Sequence, residues 1–409
     1  MPLSDDVEAA PAGNGKQSVD TSSAAADEPS SKGTWWQARL HMTTATLGPA
    51  SLSLPYALRG LGWALGLAAL TAVAAVTFYA YFLVSRVLDH CEAAGRRHVR
   101  FRELATDTLI FVCFQGSRWV TCLVVTVQMA INVGISIGSI LLAADCLELT
   151  YSRHAPNGSL KLYHFVIMVA LVLAVLSQLP SLHSLRHTNV GSLVVSIGYT
   201  MLVSAACICA GLSSNAPPKD YSLSTSRTER TFTAFLSISI LTSVFGNSIL
   251  PEIQATLAPP AGGKMTKALV LSYSVFFLAF YSPAITGYWA FGNQVRSNVM
   301  QSLLATDTGS SLAPPWMLGL AVVLILLQLI AIALVRGVVG SVGYIPLDVV
   351  IPVVMYNMAI APRRRSPAYV ANVAIMAAFI GLGVIGTVAS VRKLVLNADK
   401  FKLFSNGRS

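Results

Sequence analysis

The chain has 409 residues, of which 54% are hydrophobic and only 11% are charged. A soluble globular domain carries about 25% charged residues, so this chain lacks the charged surface that keeps such a domain dispersed in water. The composition excludes an ordinary cytosolic enzyme, a nucleic-acid-binding protein and a disordered scaffold, and it predicts a protein whose main solvent and partner is the lipid bilayer. The net charge of +10 fits basic loops that contact anionic headgroups.

The chain divides into a tail, a long apolar region and a second short tail. Residues 1–32 combine Ser, Ala and Gly with acidic side chains, a composition that predicts a disordered tail. Arginines cluster after the second apolar run, and they predict that this loop and the amino terminus are cytoplasmic. Residues 33–395 are predicted to form one transmembrane domain, and residues 396–409 a short tail.

Ten apolar runs are each long enough to cross the hydrocarbon layer, which takes about 20 residues. They lie at about 39–60, 62–87, 118–145, 163–180, 190–212, 231–256, 267–290, 315–336, 338–360 and 368–391. They are too long for barrel strands and lack two-residue alternation, so an all-α polytopic membrane protein is predicted. Asn157 begins a glycosylation sequon in a loop that this topology places outside.

Two of these runs contain helix-breaking residues. The first carries Gly48, Pro49 and Pro55, and the sixth carries Gly246 and Pro251. Proline removes a backbone donor and glycine allows other torsions, so both runs are predicted to be interrupted. Interrupted helices at corresponding positions of two repeats are typical of secondary transporters, and a spacing of five helices would make the second repeat inverted. Packing of small residues between helices is the competing interpretation.

Interrupted helices offer both signs of partial charge. An exposed helix amino terminus carries unpaired N–H groups that suit a carboxylate, and the opposite end offers carbonyl oxygens that suit an ammonium group or a cation. A zwitterionic amino acid therefore fits a pair of such ends.

Four polar residues within or beside the apolar runs are candidates for a role in transport. Glu252 follows the second interruption and can exchange a proton when it is partly desolvated, or it can lie at the interface, cap a helix or pair with Lys264 or Lys267. His41 can titrate near neutral pH, or it can act as an interfacial hydrogen-bonding residue. Gln128 and Asn132 are four residues apart on one helix face, so they can line a cavity or hold neighbouring helices together.

The chain contains no enzyme signature. A Walker loop, an HExxH motif and a GxSxG motif are all absent from the sequence. No catalytic residue, metal site or cofactor is predicted, and an ion gradient, most simply of protons, is the expected energy source. The sequence gives no indication of an oligomeric state.

Several stretches resemble the amino acid/auxin permease family, and most of all its plant-type GABA and neutral amino acid transporter branch. The resemblance covers residues 33 to about 335 and lies in Gly33-Thr34-Trp35, Leu52-Ser53-Leu54-Pro55-Tyr56-Ala57, Leu61-Gly62-Trp63, Ser177-Gln178-Leu179-Pro180, His183-Ser184-Leu185-Arg186, the segment from Phe245 to Thr256, and Gly287-Tyr288-Trp289-Ala290-Phe291-Gly292.

The resemblance implies a LeuT-like fold of two inverted five-helix repeats with discontinuous helices 1 and 6. It implies proton-coupled symport of small neutral or zwitterionic amino acids, with GABA and proline as candidates, in the plasma membrane or else an internal membrane. The substrate site would be lined by Ala45, Thr46, Leu47, Gly48, Ala50, Ser51, Phe245, Gly246, Asn247 and Ser248.

The sequence departs from the family pattern near its end. The family usually has eleven helices, whereas this chain has ten apolar runs, so its carboxyl-terminal part is expected to be incomplete. This departure motivates a second hypothesis, in which a transport-inactive homologue acts as an amino acid sensor or a membrane assembly partner.

Overall fold

The computed structural model describes residues 34–96, 98, 101–109, 117–155, 158–177, 185–246, 250–258, 261–304, 312–336, 349–360, 362 and 366–396. Within these ranges the chain forms helices and connecting turns, without a β-strand. The predicted tails, 1–32 and 396–409, fall outside the described residues except for Leu396, so their disorder stays a prediction.

The helices follow one another along the chain, with one interruption after α1 and another after α8. The first half comprises α1 (Trp35–Thr46), a 3₁₀ helix (Pro49–Ser53), α2 (Leu54–Leu61), α3 (Trp63–Ala93), α4 (Phe101–Leu109), α5 (Ser117–His154), α6 (Leu162–Ser177) and α7 (Leu185–Leu212). The second half comprises α8 (Arg227–Phe245), α9 (Leu250–Ala255), α10 (Gly262–Phe291), a 3₁₀ helix (Gly292–Gln294), α11 (Val299–Leu304), α12 (Pro315–Arg336), α13 (Ile351–Ala359) and α14 (Pro367–Leu396).

Four stretches of the described helices are long and apolar enough to cross a membrane: Trp63–Ala93, Val190–Leu212, Gly263–Gln294 and Pro367–Ala389. Shorter apolar helices cover Leu162–Val175 and Pro315–Ala331. Their outer faces carry large apolar side chains, such as Leu171 and Phe277, which are more than half exposed. Such a surface is stable only in an apolar solvent, which fits the predicted helical membrane protein.

The helix boundaries differ from the predicted runs at several points. Helix α5 continues to His154, nine residues beyond the predicted end at 145. Of the run predicted at 338–360, the structure describes an α-helix over Ile351–Ala359, which two π-helical residues, 349 and 350, precede; residues 337–348 lie outside the described ranges. Helices α4 and α11 were not predicted, because a scan for 20 apolar residues passes over helices of nine and six residues.

Within the described residues, the interior of the bundle contains two large hydrophobic clusters and a small third one around Val349 and Phe379. The first joins α1, α3, α8 and α10 around the buried rings of Tyr81, Phe245 and Phe280. The second joins α5, α7 and α12 around the buried ring of Tyr199. The chain passes from one cluster to the other between α1 and α2, because Leu47 belongs to the first and Leu52 to the second. The interrupted segment is therefore anchored at both ends by packed side chains.

Candidate functional site

The first interruption separates α1 from the 3₁₀ helix at Leu47 and Gly48. Gly48 is extended, with φ −106° and ψ 167°, which is the conformation favoured for a residue that precedes proline. Pro49 takes the first position of the 3₁₀ helix, where its missing N–H removes no helical hydrogen bond. Helix α1 therefore ends where the sequence predicts an interruption.

The carbonyl of Leu47 accepts two hydrogen bonds from side chains on other helices. Ser196 Oγ on α7 donates at 3.1 Å, and Gln328 Nε2 on α12 donates at 3.0 Å. Ser192 Oγ donates to Gln328 Oε1 at 3.0 Å, and all three side chains are buried. A carbonyl that would be costly in an apolar interior is thus paired, and α7 and α12 fix the position of the interruption.

The second interruption follows α8, which ends at Phe245. Gly246 is extended, with φ −65° and ψ 130°, and α9 begins at Leu250. The Tyr81 hydroxyl on α3 donates to the Phe245 carbonyl at 3.1 Å. The buried Phe245 ring meets Phe280 edge to face, with 5.0 Å between the ring centroids. The end of α8 is therefore also held by a buried hydrogen bond from another helix.

A cavity of about 430 Å³ lies against both interruptions. Its wall contains residues from α1 and the following turn, from α5, from the end of α8, from the 297–301 segment and from α12. These residues are Ala45, Thr46, Gly48, Pro49, Ala50, Ser53, Gly134, Gly138, Ser139, Leu141, Leu142, Asp145, Ser243, Val244, Gly246, Ser297, Asn298, Gln301 and Leu329. The volume suits a small organic ligand, and the two interruptions, far apart in sequence, share one site.

The described part of the cavity wall combines small side chains with one charged side chain. Many of its positions are Gly or Ala, so backbone groups at the interruptions lie close to the space. Asp145 is the one charged side chain among the lining residues that the structure describes, and its Oδ2 accepts a 2.7 Å hydrogen bond from Gln301 Nε2. Sequence analysis missed Asp145, although an acidic residue at the end of the apolar run 118–145 is a signal for function.

The predicted substrate-site residues fall into two groups. Five of them line the cavity: Ala45, Thr46, Gly48, Ala50 and Gly246. Three others are buried and do not line it: Leu47, Ser51 and Phe245. The Ser51 hydroxyl donates to the Gly48 carbonyl at 3.1 Å, which stabilises the turn after α1. A substrate contact of any of the eight stays a prediction.

The remaining candidates are less well placed or less fully described. His41 lies in α1, is partly buried and is not part of the cavity wall. Asn157, Asn247 and Ser248 lie outside the described residues. The structure describes the helices that carry Glu252, Gln128 and Asn132, but not these three side chains.

A cluster with metal-ligand chemistry lies between α3 and α4, away from the cavity wall. The ligand atoms of Cys91, His98 and Asp107 all lie within 4.8 Å of one another. Arg96 Nη1 lies 2.7 Å and His98 Nε2 3.0 Å from the same oxygen, Asp107 Oδ2. The Arg96 guanidinium already forms an ion pair with the Asp107 carboxylate. We therefore interpret this cluster as an ion pair that holds the loop after α3 against α4.

The family of the chain follows from comparison with known proteins. Residues 31–335 match the family model described as transmembrane amino acid transporter protein, so the chain belongs to this family of membrane transporters. A relative of nearly full length is GABA transporter 1 of Arabidopsis thaliana, which is 36% identical over 92% of this chain and 94% of its own length.

More distant relatives come from the same plant. Lysine histidine transporter-like 1 of Arabidopsis thaliana is 28% identical over 66% of this chain and 58% of its own length. Lysine histidine transporter-like 6 is 26% identical over 75% of the chain and 67% of its own length. The predicted resemblance to amino acid permeases is thereby confirmed. Since the relatives are transporters, the prediction that the chain is not an enzyme is also confirmed.

Proposed function

We propose that the chain is a secondary active transporter that carries small zwitterionic amino acids into the cell by alternating access. The observation that supports this function is the cavity shared by the two interruptions, which brings Gly48 and Gly246 to one wall. The name of the relative GABA transporter 1 makes GABA a candidate substrate, and proline is the second candidate from sequence.

The chemistry of the wall fits such a substrate. Small residues leave backbone groups of the interruptions within reach of a carboxylate or an ammonium group, and the cavity is too small for a large ligand. We propose that α1–α7 and α8–α14 contain two inverted repeats, with the interrupted helices in corresponding positions. Movement of the segments on either side of each interruption would open the cavity to one side of the membrane at a time.

We further propose that protons drive uptake and that the protein lies in the plasma membrane. Glu252, beside the second interruption, and His41 in α1 are the candidates for proton exchange. An endomembrane location is the alternative, and microscopy of a fluorescent fusion distinguishes the two.

The direct test is uptake of labelled GABA and proline by vesicles that contain the purified full-length protein, measured against outside pH and sodium. We expect saturable uptake that rises at acid outside pH and does not require sodium. Glu252→Gln should flatten the pH dependence, whereas Glu229→Gln, on exposed α8 surface, should leave it unchanged. Uptake that depends on sodium and not on pH would contradict proton coupling.

The cavity itself can be tested by filling it. Gly138 lines the cavity and has open space beside its Cα, so Gly138→Val should occupy the site without a clash. We expect uptake to fall more than about 10-fold while the thermal stability stays close to that of the wild type. Gly319→Val, at an equally open position on α12 outside the cavity wall, is the matched control. Equal uptake by both variants would contradict the proposed site.

The same measurements address the sensor hypothesis. A transport-inactive homologue would show no uptake across a broad panel of amino acids, yet it would still bind one of them. Binding detected by thermal stabilisation, together with absent uptake by correctly inserted protein, would therefore favour a sensor over a transporter.

A further inference from the structure

Asp145 places a carboxylate in the cavity wall, and the proposed function assigns this group no role. The residue lies near the end of α5, is half-buried and is the charged member of the described lining residues. The Gln301 amide donates to one of its oxygens at 2.7 Å. A carboxylate can accept about four hydrogen bonds, so a single neutral donor leaves most of its capacity for a ligand.

Three of the five hydroxyl side chains that line the described cavity have already used their protons. Ser53 donates to the Ala50 carbonyl at 2.6 Å, and Ser243 donates to the Ile240 carbonyl at 2.8 Å. Ser297 donates to Gln301 Oε1 at 3.2 Å. A serine hydroxyl has one proton and two lone pairs, so these three side chains present acceptors to the cavity. Acceptors grouped around a carboxylate favour a ligand with several N–H donors.

A donor is also present in the wall. The Asn298 side-chain oxygen accepts the Met300 backbone N–H at 2.9 Å, which leaves the Asn298 amide nitrogen as a donor. Asn298 and Asp145 both line the cavity. The wall therefore offers a negative group for a cationic end of the ligand and a neutral donor for an anionic end.

From this arrangement we propose that Asp145 binds the ammonium group of the transported amino acid and selects for substrates that carry one. The proposal rests on the proposed transport function and adds a residue that determines specificity. An ammonium ion supplies three donors and a full positive charge, which compensates the half-buried carboxylate. Gln301 is a positioning residue, because its amide holds Asp145 Oδ2 from the α11 side.

The test compares wild type with Asp145→Asn in vesicles, with labelled GABA as substrate. Butylamine has the amine without the carboxylate, and butyrate has the carboxylate without the amine. We expect Asp145→Asn to raise the KM for GABA by about 10- to 100-fold and to abolish inhibition by butylamine, with inhibition by butyrate retained. Glu148→Gln, one turn further along α5 and outside the cavity wall, should leave all three values close to wild type.

Two further variants separate the charge of Asp145 from its hydrogen bond and from its effect on folding. Gln301→Leu removes the hydrogen bond but keeps the carboxylate, so inhibition by butylamine should persist. Asp145→Glu keeps the charge one methylene further out, so it should retain butylamine inhibition with an altered KM for GABA, even where Asp145→Asn fails to fold. Unchanged butylamine inhibition in Asp145→Asn would overturn the proposal. So would an altered pH dependence with an unaltered KM, which would make Asp145 a proton carrier instead.

A protein that does not transport amino acids can be distinguished from one in which Asp145 does not bind an ammonium group. If the wild type takes up no amino acid, stabilisation of the purified protein by butylamine still reports on the site. A shift of the melting temperature in the wild type that is absent from Asp145→Asn would support the ammonium site alone. The absence of any shift in the wild type would overturn it.

Discussion

At the scale of single residues, the site depends on neutral side chains within apolar helices. Gln328 donates to the Leu47 carbonyl and accepts from Ser192, so one amide joins α12 to both α1 and α7. The corresponding partner at the second interruption is the Tyr81 hydroxyl. Such buried polar groups are costly when they lose a partner, which makes them effective at fixing a backbone that is not helical.

We expect Gln328→Leu to lower the free energy of unfolding by about 1–3 kcal/mol, because the Leu47 carbonyl loses a donor and Ser192 loses its acceptor. Uptake should also fall, because α12 no longer holds the first interruption in place. Thermal denaturation in detergent and uptake in vesicles measure the two effects. Leu327→Ala, at a half-exposed neighbouring position, is the control and should change stability less. A fully stable and active Gln328→Leu would show that the amide does not hold the interruption.

At the scale of secondary structure, the cavity exists because α1 stops at Thr46. Gly48 and Pro49 enforce the stop locally, and Ser196 and Gln328 pair the carbonyl that it leaves. A continuous helix through this point would carry its own hydrogen bonds and would remove the irregular backbone from the cavity wall.

Pro49→Ala tests whether the proline is needed for the stop. Alanine restores a backbone donor and releases Gly48 from the extended conformation, so we expect α1 to extend toward α2 and uptake to drop several-fold. Pro283→Ala is the matched control, because Pro283 lies inside the continuous helix α10. Uptake normalised to the amount of inserted protein compares the two, and equal uptake by both would show that tertiary contacts alone maintain the interruption.

At the scale of the whole molecule, apolar side chains cover the outer surface as well as the core. In the most apolar 18-residue stretch of α14, only 11% is buried inside the protein, and Val384 is 62% exposed. A soluble bundle would bury such a helix. The exposed apolar surface of α14 therefore indicates that lipid, and not water, is its solvent.

A charge placed on this surface should therefore be costly. We expect Val384→Arg, near the middle of α14, to disfavour insertion by about 2.5–3.5 kcal/mol, whereas Val384→Leu should insert like the wild type. The fraction of protein integrated into microsomal membranes provides the measurement. Efficient insertion of the arginine variant would mean that Val384 faces water or a partner rather than lipid.

Sequence patterns predicted the class of this protein and the position of its interruptions, because both depend on local chemistry. Long apolar runs require lipid, and the Gly48-Pro49 pair restricts the backbone of its own segment whatever surrounds it. The motifs around Leu52–Ala57 and Phe245–Thr256 similarly carried the family resemblance before any contact was visible.

Tertiary structure alone decided which residues meet at the cavity. Asp145 and Gln301 come together from α5 and α11. Leu47, predicted to line the substrate site, lies outside the cavity wall, and Ser196 and Gln328 donate to its carbonyl. These partners are separated by more than a hundred residues, and no local pattern encodes their distance. Each interruption depends on residues that are neighbours in sequence. The chemistry of the cavity depends on side chains that are far apart in sequence and that only tertiary packing brings together.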